Sequence, residues 1–388
     1  MSRTVVDFIL NNIDQGNYVG AIFLDLKKAF DTVNHTILIS KLQSIGVCGL
    51  ELHWFSSYLS ERKQATRVGK SLSALSPVEF GVPQGSILGP LLFTVYVNDL
   101  SAAVSKCKID LYADDTAMFY ASKSIDDINK VLNTNMHGVD NWLLQHRLTL
   151  NVSKTKAMLF GSAQKLANAG PLSVNIRGQQ LECVSNFKYL GVTLDQRLTW
   201  ECHIDKLCPT LYKYAGLFYR IRKFLPIDAL KLLYTAVVLP KVDYCDMIWS
   251  NSGQTLLLRL DRYQKRLGRA ILNVPMRTPT NSVFESLGWE TFSSRRQYHI
   301  CLNVYKSLGG IFPPNQCNIF TRCADSYGGY NLRSSSAGNL VLSTVHLETG
   351  KRAFQYRGAT AWNNLPVSIK NTLPKNAAAF KSIYYDVV

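Results

Sequence analysis

Two adjacent carboxylates interrupt an apolar, strand-like run, and no other feature so restricts how this chain can fold. Tyr112-Ala113-Asp114-Asp115 lies within the segment Ile109 to Tyr120. Leu111 and Ala113 point to one side of a strand and Tyr112 to the other, and Ala117 and Phe119 resume the alternation, which puts the Asp pair at the tip of a hairpin. Two like charges in such a place are costly unless a cation accompanies them. A divalent ion answers that need, and hard, oxygen-liganded Mg2+ suits carboxylates that share the ion with a substrate phosphate. An Asp-Asp turn is also ordinary solvated turn chemistry. A metal site therefore requires a further ligand elsewhere in the chain.

Val19-Gly20-Ala21-Ile22-Phe23-Leu24 is a continuous apolar run that reads as a strand buried on both faces and ends at Asp25. Phe30, Val33, Ile37, Leu38, Leu42 and Ile45 then follow helical spacing up to Gly46, so the segment reads strand, turn, helix. Asp25 is thereby placed at the carboxyl end of a strand, while Asp31 falls on the following helix, where a carboxylate near the amino terminus is favourable. A two-metal site holds its ions about 3.5–4 Å apart with carboxylates from separate elements. Asp25 and Asp114 meet that requirement if their strands are neighbours. Between them, Gly81-Val82-Pro83-Gln84-Gly85-Ser86-Ile87-Leu88-Gly89-Pro90 combines glycines that permit close backbone approach to a ligand with a helix that starts after the loop.

Asp25-x-x-x-Ala29-Phe30-Asp31, Gly81-Val82-Pro83-Gln84-Gly85-Ser86, Tyr112-Ala113-Asp114-Asp115, Asn151-x-x-Lys154-Thr155 and Tyr189-Leu190-Gly191 resemble, in order, the palm motifs of reverse transcriptases. The Ala-Phe-Asp and Gly-Val-Pro-Gln-Gly-Ser forms are most similar to those of non-LTR (LINE-type) retrotransposon polymerases. The resemblance implies an α+β fold: a right-hand polymerase palm of antiparallel sheet with packed helices, a helical thumb and a small C-terminal region, with the fingers largely missing. It implies that Asp25, Asp114 and Asp115 bind two Mg2+ ions, or Mn2+, with the Leu26 carbonyl as a further ligand. It implies that Phe30 is a steric gate against ribonucleotides, that Gln84 and Gly85 lie near the incoming nucleotide and template, and that Lys154 assists the leaving pyrophosphate. Tyr189, Leu190 and Gly191 correspond to a primer grip, and Tyr112 is expected to pack beneath the carboxylates. The implied partners are an RNA template, a DNA primer and dNTPs.

Charge distribution points to the second half of the chain as the nucleic-acid footprint. The formal charge is +16, with 19 Lys/Arg and 16 Asp/Glu in residues 1–199 but 24 and 11 in residues 200–388. Within Leu256 to Val274, Leu256, Leu260, Tyr263, Leu267 and Ala270 form one helical face and Arg259, Arg262, Arg266 and Arg269 lie roughly opposite. Helical spacing also marks Leu207 to Phe224 and Ile227 to Val238. The expected organisation is a reverse transcriptase domain over 1–197, a helical thumb over 198–275 that holds duplex phosphates, and a C-terminal region over 276–388 with no assigned chemistry, in which Tyr330-Asn331-Leu332-Arg333 and Gly358 to Pro366 resemble a family tail.

Nine cysteines without a C-x-x-C pair read as free thiols in a reducing compartment, with no zinc site. No signal peptide and no bilayer-spanning run is present, so the chain is expected to be intracellular, in nucleus or cytoplasm, without a membrane partner. Only 24 residues precede Asp25, which suggests an amino-terminally truncated copy of a longer polyprotein. Two functions stay open at this point: an RNA-directed DNA polymerase, or a catalytically inactive nucleic-acid-binding remnant.

Overall fold

A computed structural model describes residues 3–326, 337–371 and 376–387. The Tyr330 to Arg333 motif lies outside the described residues. The chain forms two compact units, one from Gly16 to Leu190 and the other from the first fifteen residues together with Gly191 onward.

The first unit is built on a five-stranded sheet of β1 (Tyr18–Leu24), β2 (Lys108–Tyr112), β3 (Asp115–Ser122), β4 (Lys156–Phe160) and β5 (Glu182–Cys183), in the order β5-β4-β1-β3-β2. All pairs are antiparallel except β4 with β5. Central β1 is buried along its whole length after Tyr18, as its unbroken apolar run requires. The helix Ile125–Gln145 covers the sheet with Ile128, Leu132, Met136 and Val139. Its start is fixed by Ser124, whose side chain accepts from the Asp127 amide, with Asp126 and Asp127 in the positive first turn. Helix and sheet meet at Gly20, where a Cβ would stand 2.4 Å from Ile128 Cγ2.

After Asp25 the chain departs from the expected single helix. Lys28 takes a left-handed conformation (φ 48°), Ala29–Asp31 form one 3-10 turn, and the helix begins only at His35, capped by the Asn34 side chain accepting from Ile37 N at 3.0 Å. Asp31 accordingly sits in an exposed turn and not on a helix. Apolar spacing carried no sign of this, because Phe30 and Val33 face the core from the turn as they would from a helix.

The second unit is helical, and its longest helices are Glu201–Ile221, Gln254–Leu272 and Phe292–Leu308. The predicted helix after Pro226 is present as Ile227–Leu233, continued by a π turn over Tyr234–Val238. The opening helix, Arg3–Asp14, packs in this unit. Its Asp14 carboxylate accepts from the His346 and Leu347 amides, and Asp7 accepts from Phe354 N at 2.6 Å. A second core unites Tyr298, Val304, Tyr305, Phe354, Trp362, Phe380 and Tyr384. Residues on both sides of position 275 share this one compact unit.

Candidate active site

Asp25 follows the last residue of β1, and the chain beyond the strand stays bonded to the segment at 149–151. Lys27 N donates to Thr149 O and Asn151 N to Asp25 O, both at 2.8 Å, with a bridge between Leu26 and Leu150. Asn151 Nδ2 donates to the Asp25 carboxylate at 2.8 Å. Asp25 N donates to the fully buried Thr155 hydroxyl at 3.2 Å, and that hydroxyl donates in turn to Asn151 O at 2.9 Å. Two residues that carried no role in the sequence reading, Asn151 and Thr155, therefore fix both ends of Asp25. Their signal was present as the first and last letters of Asn151-x-x-Lys154-Thr155, while Lys154 itself is exposed on the intervening turn.

The Asp pair lies where the hairpin was expected. Tyr112 pairs with Asp115, and the two-residue turn between them is closed by Ala113 at φ 54°. Leu24 pairs with Thr116, so the next step of the register sets Asp25 beside Asp115. The Asp115 carboxyl is raised above its ordinary pKa by burial, then by the negative charges of Asp114 and Asp25. Hard carboxylate oxygens whose charges press on one another form a donor set that fits a divalent cation. Their oxygens are not all drawn within 4.8 Å of one another. Among the described residues only Asp243, Asp246 and His299 form such a group, and there Arg295 bonds Asp243 and His299 bonds Asp246 in an ion-pair network.

Tyr112 does not pack beneath the carboxylates as expected; it is 65% exposed. Directly paired residues project to the same face, so Tyr112 stands beside Asp115 at the end of an edge strand. The floor of that face is made instead by Phe187, stacked on Phe23 at 4.3 Å, and by Tyr189, whose hydroxyl donates to Asp110 Oδ2 at 3.1 Å. Burial raises the Asp110 carboxyl, and the Tyr189 bond opposes that shift. Leu190 and Gly191 follow with φ of 45° and 80°, so this chain reversal is set directly after an anchored residue.

The glycine loop is bound to the turn after Asp25. Val82 N donates to Phe30 O at 2.9 Å and Gly81 N to Val33 O at 2.8 Å. Gly81 is required there: its φ is 88°, and a Cβ would stand 2.9 Å from the Asp31 backbone. Phe30 is half-buried and stacks on buried Phe93 at 4.5 Å, Gln84 Nε2 donates to Asp31 Oδ1 at 2.7 Å, and Gly85 (φ 81°) has open space around it.

In the second unit the arginine stripe divides. Arg259 pairs with Asp205 at 2.6 Å and Arg269 donates to Thr278 O and the Thr280 hydroxyl, whereas Arg262 and Arg266 are exposed. The nine cysteines are all free thiols. No helix among the described residues is long and apolar enough to cross a membrane.

A carboxylate pair on a hairpin tip beside a third carboxylate at the end of the neighbouring central strand, in a sheet covered by helices, defines a polymerase palm. Residues 2–194 belong to the reverse transcriptase (RNA-dependent DNA polymerase) family. Over 309 residues the chain is 29% identical to the "Probable RNA-directed DNA polymerase from transposon BS" of Drosophila melanogaster, covering 75% of this chain and 33% of that protein. It is 29% identical to the "RNA-directed DNA polymerase from mobile element jockey" of Drosophila funebris, over 71% of this chain and 31% of that protein. It is 28% identical to the "Probable RNA-directed DNA polymerase from transposon X-element" of Drosophila melanogaster, over 69% of this chain and 30% of that protein. The chain thus matches about a third of the length of each of these relatives.

Proposed function

We infer that this chain carries the polymerase centre of a non-LTR retrotransposon reverse transcriptase, extending a primer 3′-hydroxyl with dNTPs on an RNA template. The observation that carries the reading is the register that sets Asp25 beside Asp115, with Asn151 and Thr155 fixing Asp25 from behind.

Asp25, Asp114 and Asp115, with the Leu26 carbonyl, would hold two Mg2+ ions, or Mn2+, which lower the pKa of the attacking hydroxyl and stabilise the leaving pyrophosphate. Asn151 keeps the Asp25 carboxylate in one orientation. Phe30, held against Phe93 by one ring face, offers its other face to the sugar 2′ position and excludes ribonucleotides. Gln84 and Gly85 border the nucleotide, and Lys154, exposed on its turn, supplies positive charge to the pyrophosphate. Tyr189 anchors the turn at Leu190 and Gly191, which holds the primer end. The helices over 198–275 act as the thumb, with Arg262 and Arg266 free to meet duplex phosphates and Arg259 and Arg269 serving first to hold their own helix.

The test is primer extension by the full chain on a poly-A template with Mg2+ or Mn2+, with Asp114→Asn alongside. Product that depends on Asp114 supports the reading. No product, with duplex binding retained, leaves a nucleic-acid-binding remnant.

A further inference from the structure

An aromatic side chain stands against the chain reversal at Leu190 and Gly191. Gly191 holds φ 80°, and a Cβ built on it would lie 3.0 Å from Tyr244 Cε1, 3.4 Å from the Tyr244 hydroxyl oxygen and 3.5 Å from Cζ. Glycine therefore serves twice here, for the left-handed turn and for its approach to the ring. Gly191 and Tyr244 belong to the same compact unit.

Tyr244 is fixed at its backbone, not by burial of its ring. It ends the helix Leu239–Asp243 and is followed by Cys245 in a left-handed conformation (φ 53°). Its carbonyl accepts from Trp249 Nε1 at 3.0 Å, and Trp249 is completely buried. Asp243 before it is paired with Arg295, and Asp246 beyond it is bonded to His299 Nδ1 at 2.6 Å. The strand that leaves the turn, Val192–Asp195, leans on the same tryptophan: Thr193 N donates to His203 Nδ1 at 3.4 Å, and the His203 ring lies 5.7 Å from that of Trp249. Turn and ring thus share one support. Yet Tyr244 is 51% exposed, whereas Tyr234 and Tyr263 of the same unit are each 2% exposed. A ring that served only to fill space against Gly191 would be covered like those two; this one keeps a face for a ligand.

We propose that Tyr244 is a stacking platform for the terminal base of the primer, and so a further substrate-binding residue of the polymerase. The identity of the ligand rests on the assignment of the Leu190–Gly191 turn to the primer; the exposed, backbone-held ring against that turn does not. Every base presents a π-face, so an aromatic ring holds a chain end without reading its sequence. Tyrosine suits the place, because its ring can meet the base while its hydroxyl stays in polar surroundings. Exposed cations such as Arg262 and Arg266 can meet phosphates anywhere along a duplex, whereas a ring beside the primer turn selects the end. Tyr244 lies outside the recognised motifs and far along the chain from Gly191, which is why the sequence alone did not mark it.

The test uses the full chain and a primer carrying 2-aminopurine, a base whose fluorescence reports stacking, either as the 3′-terminal nucleotide or several nucleotides upstream, annealed to an RNA template in EDTA. Thermal melts first establish that Tyr244→Phe and Tyr244→Leu are folded; leucine keeps packing against Gly191 but offers no ring. Wild type and Tyr244→Phe are expected to change the fluorescence of the terminal probe equally. Tyr244→Leu is expected to lose most of that change with the upstream probe unaltered, and its affinity for primer–template to fall about tenfold. A terminal signal in Tyr244→Leu equal to that of the wild type overturns the assignment. So does a Tyr244→Phe that behaves like Tyr244→Leu, or a loss shared equally by the two probe positions, which marks a general loss of duplex binding. Asp114-dependent extension with a Tyr244-independent terminal signal removes this inference alone. A wild type that extends no primer removes the polymerase reading, and a Tyr244-dependent terminal signal in that chain still supports the stacking site.

Discussion

Asn151→Ala removes one hydrogen bond from the proposed metal ligand while leaving the ligand itself in place. Asn151 Nδ2 donates to Asp25 Oδ2 at 2.8 Å, and a bond to a charged acceptor contributes about 1.5–3 kcal/mol. Because Asn151 orients the carboxylate toward the ion, its loss is expected to weaken metal affinity roughly 10- to 100-fold, the range seen for groups that orient metal ligands. The backbone bond from Asn151 N to Asp25 O and the anchor from Asp25 N to Thr155 Oγ1 survive the substitution. Because the lost bond is also present without metal, folding stability should fall by no more than the same roughly 1.5–3 kcal/mol. The assay is initial rate of extension against Mg2+ concentration, with duplex affinity measured in parallel by fluorescence anisotropy. The half-saturating Mg2+ concentration should rise while duplex affinity stays constant, and raised Mg2+ should recover most of the rate. A folded variant with an unchanged Mg2+ requirement would refute the positioning role of Asn151.

Three further outcomes follow from the geometry. Phe30→Val should raise ribonucleotide incorporation relative to dNTPs, and unchanged sugar discrimination in a competition assay removes the gate assignment; because Phe30 stacks on Phe93 the variant should also melt lower. Gly20→Ala places a Cβ 2.4 Å from Ile128 Cγ2 and should destabilise the first unit by about 1–3 kcal/mol, so an unaltered melting curve contradicts the helix-on-sheet contact. The Asp115 carboxyl is raised in the folded state, chiefly by burial and then by Asp114 and Asp25. The folded state is therefore favoured while Asp115 is protonated, and loses that advantage as pH climbs from the ordinary Asp value of about 3.9 through the raised one. Metal-free Asp115→Asn should accordingly melt above the wild type at neutral pH, with the difference closing below about pH 3.9 and shrinking in saturating Mg2+. A variant that melts at or below the wild type at neutral pH contradicts the repulsion.

The features legible in the sequence were those written in local pattern. The unbroken apolar run of β1 and the Asp pair in its alternating flanks specified two strands, and the five spaced motifs specified the family. What local pattern does not encode was misplaced. The helix after Asp25 starts at His35 because Asn34 supplies a cap and Lys28 a left-handed turn, and neither alters the apolar spacing. The amphipathic helix Arg3–Asp14 declares that it must cover something, but its partners at His346, Leu347 and Phe354 lie more than 300 residues away. A helical wheel treats Arg259 and Arg269 like Arg262 and Arg266; Asp205 and Thr278 divide them. Asn151 and Thr155 were quoted as motif letters, yet their role emerges only where the 149–155 segment meets the end of β1.

The central claim is that Asp25 and the Asp114–Asp115 pair form one metal centre. Its most direct measurement is the electron paramagnetic resonance of Mn2+ bound to the full chain with template–primer and a dNTP, which counts ions without requiring turnover. The account predicts two magnetically coupled Mn2+ per chain, with the coupling lost in both Asp25→Asn and Asp114→Asn. Mn2+ binding that is indifferent to either substitution would contradict it.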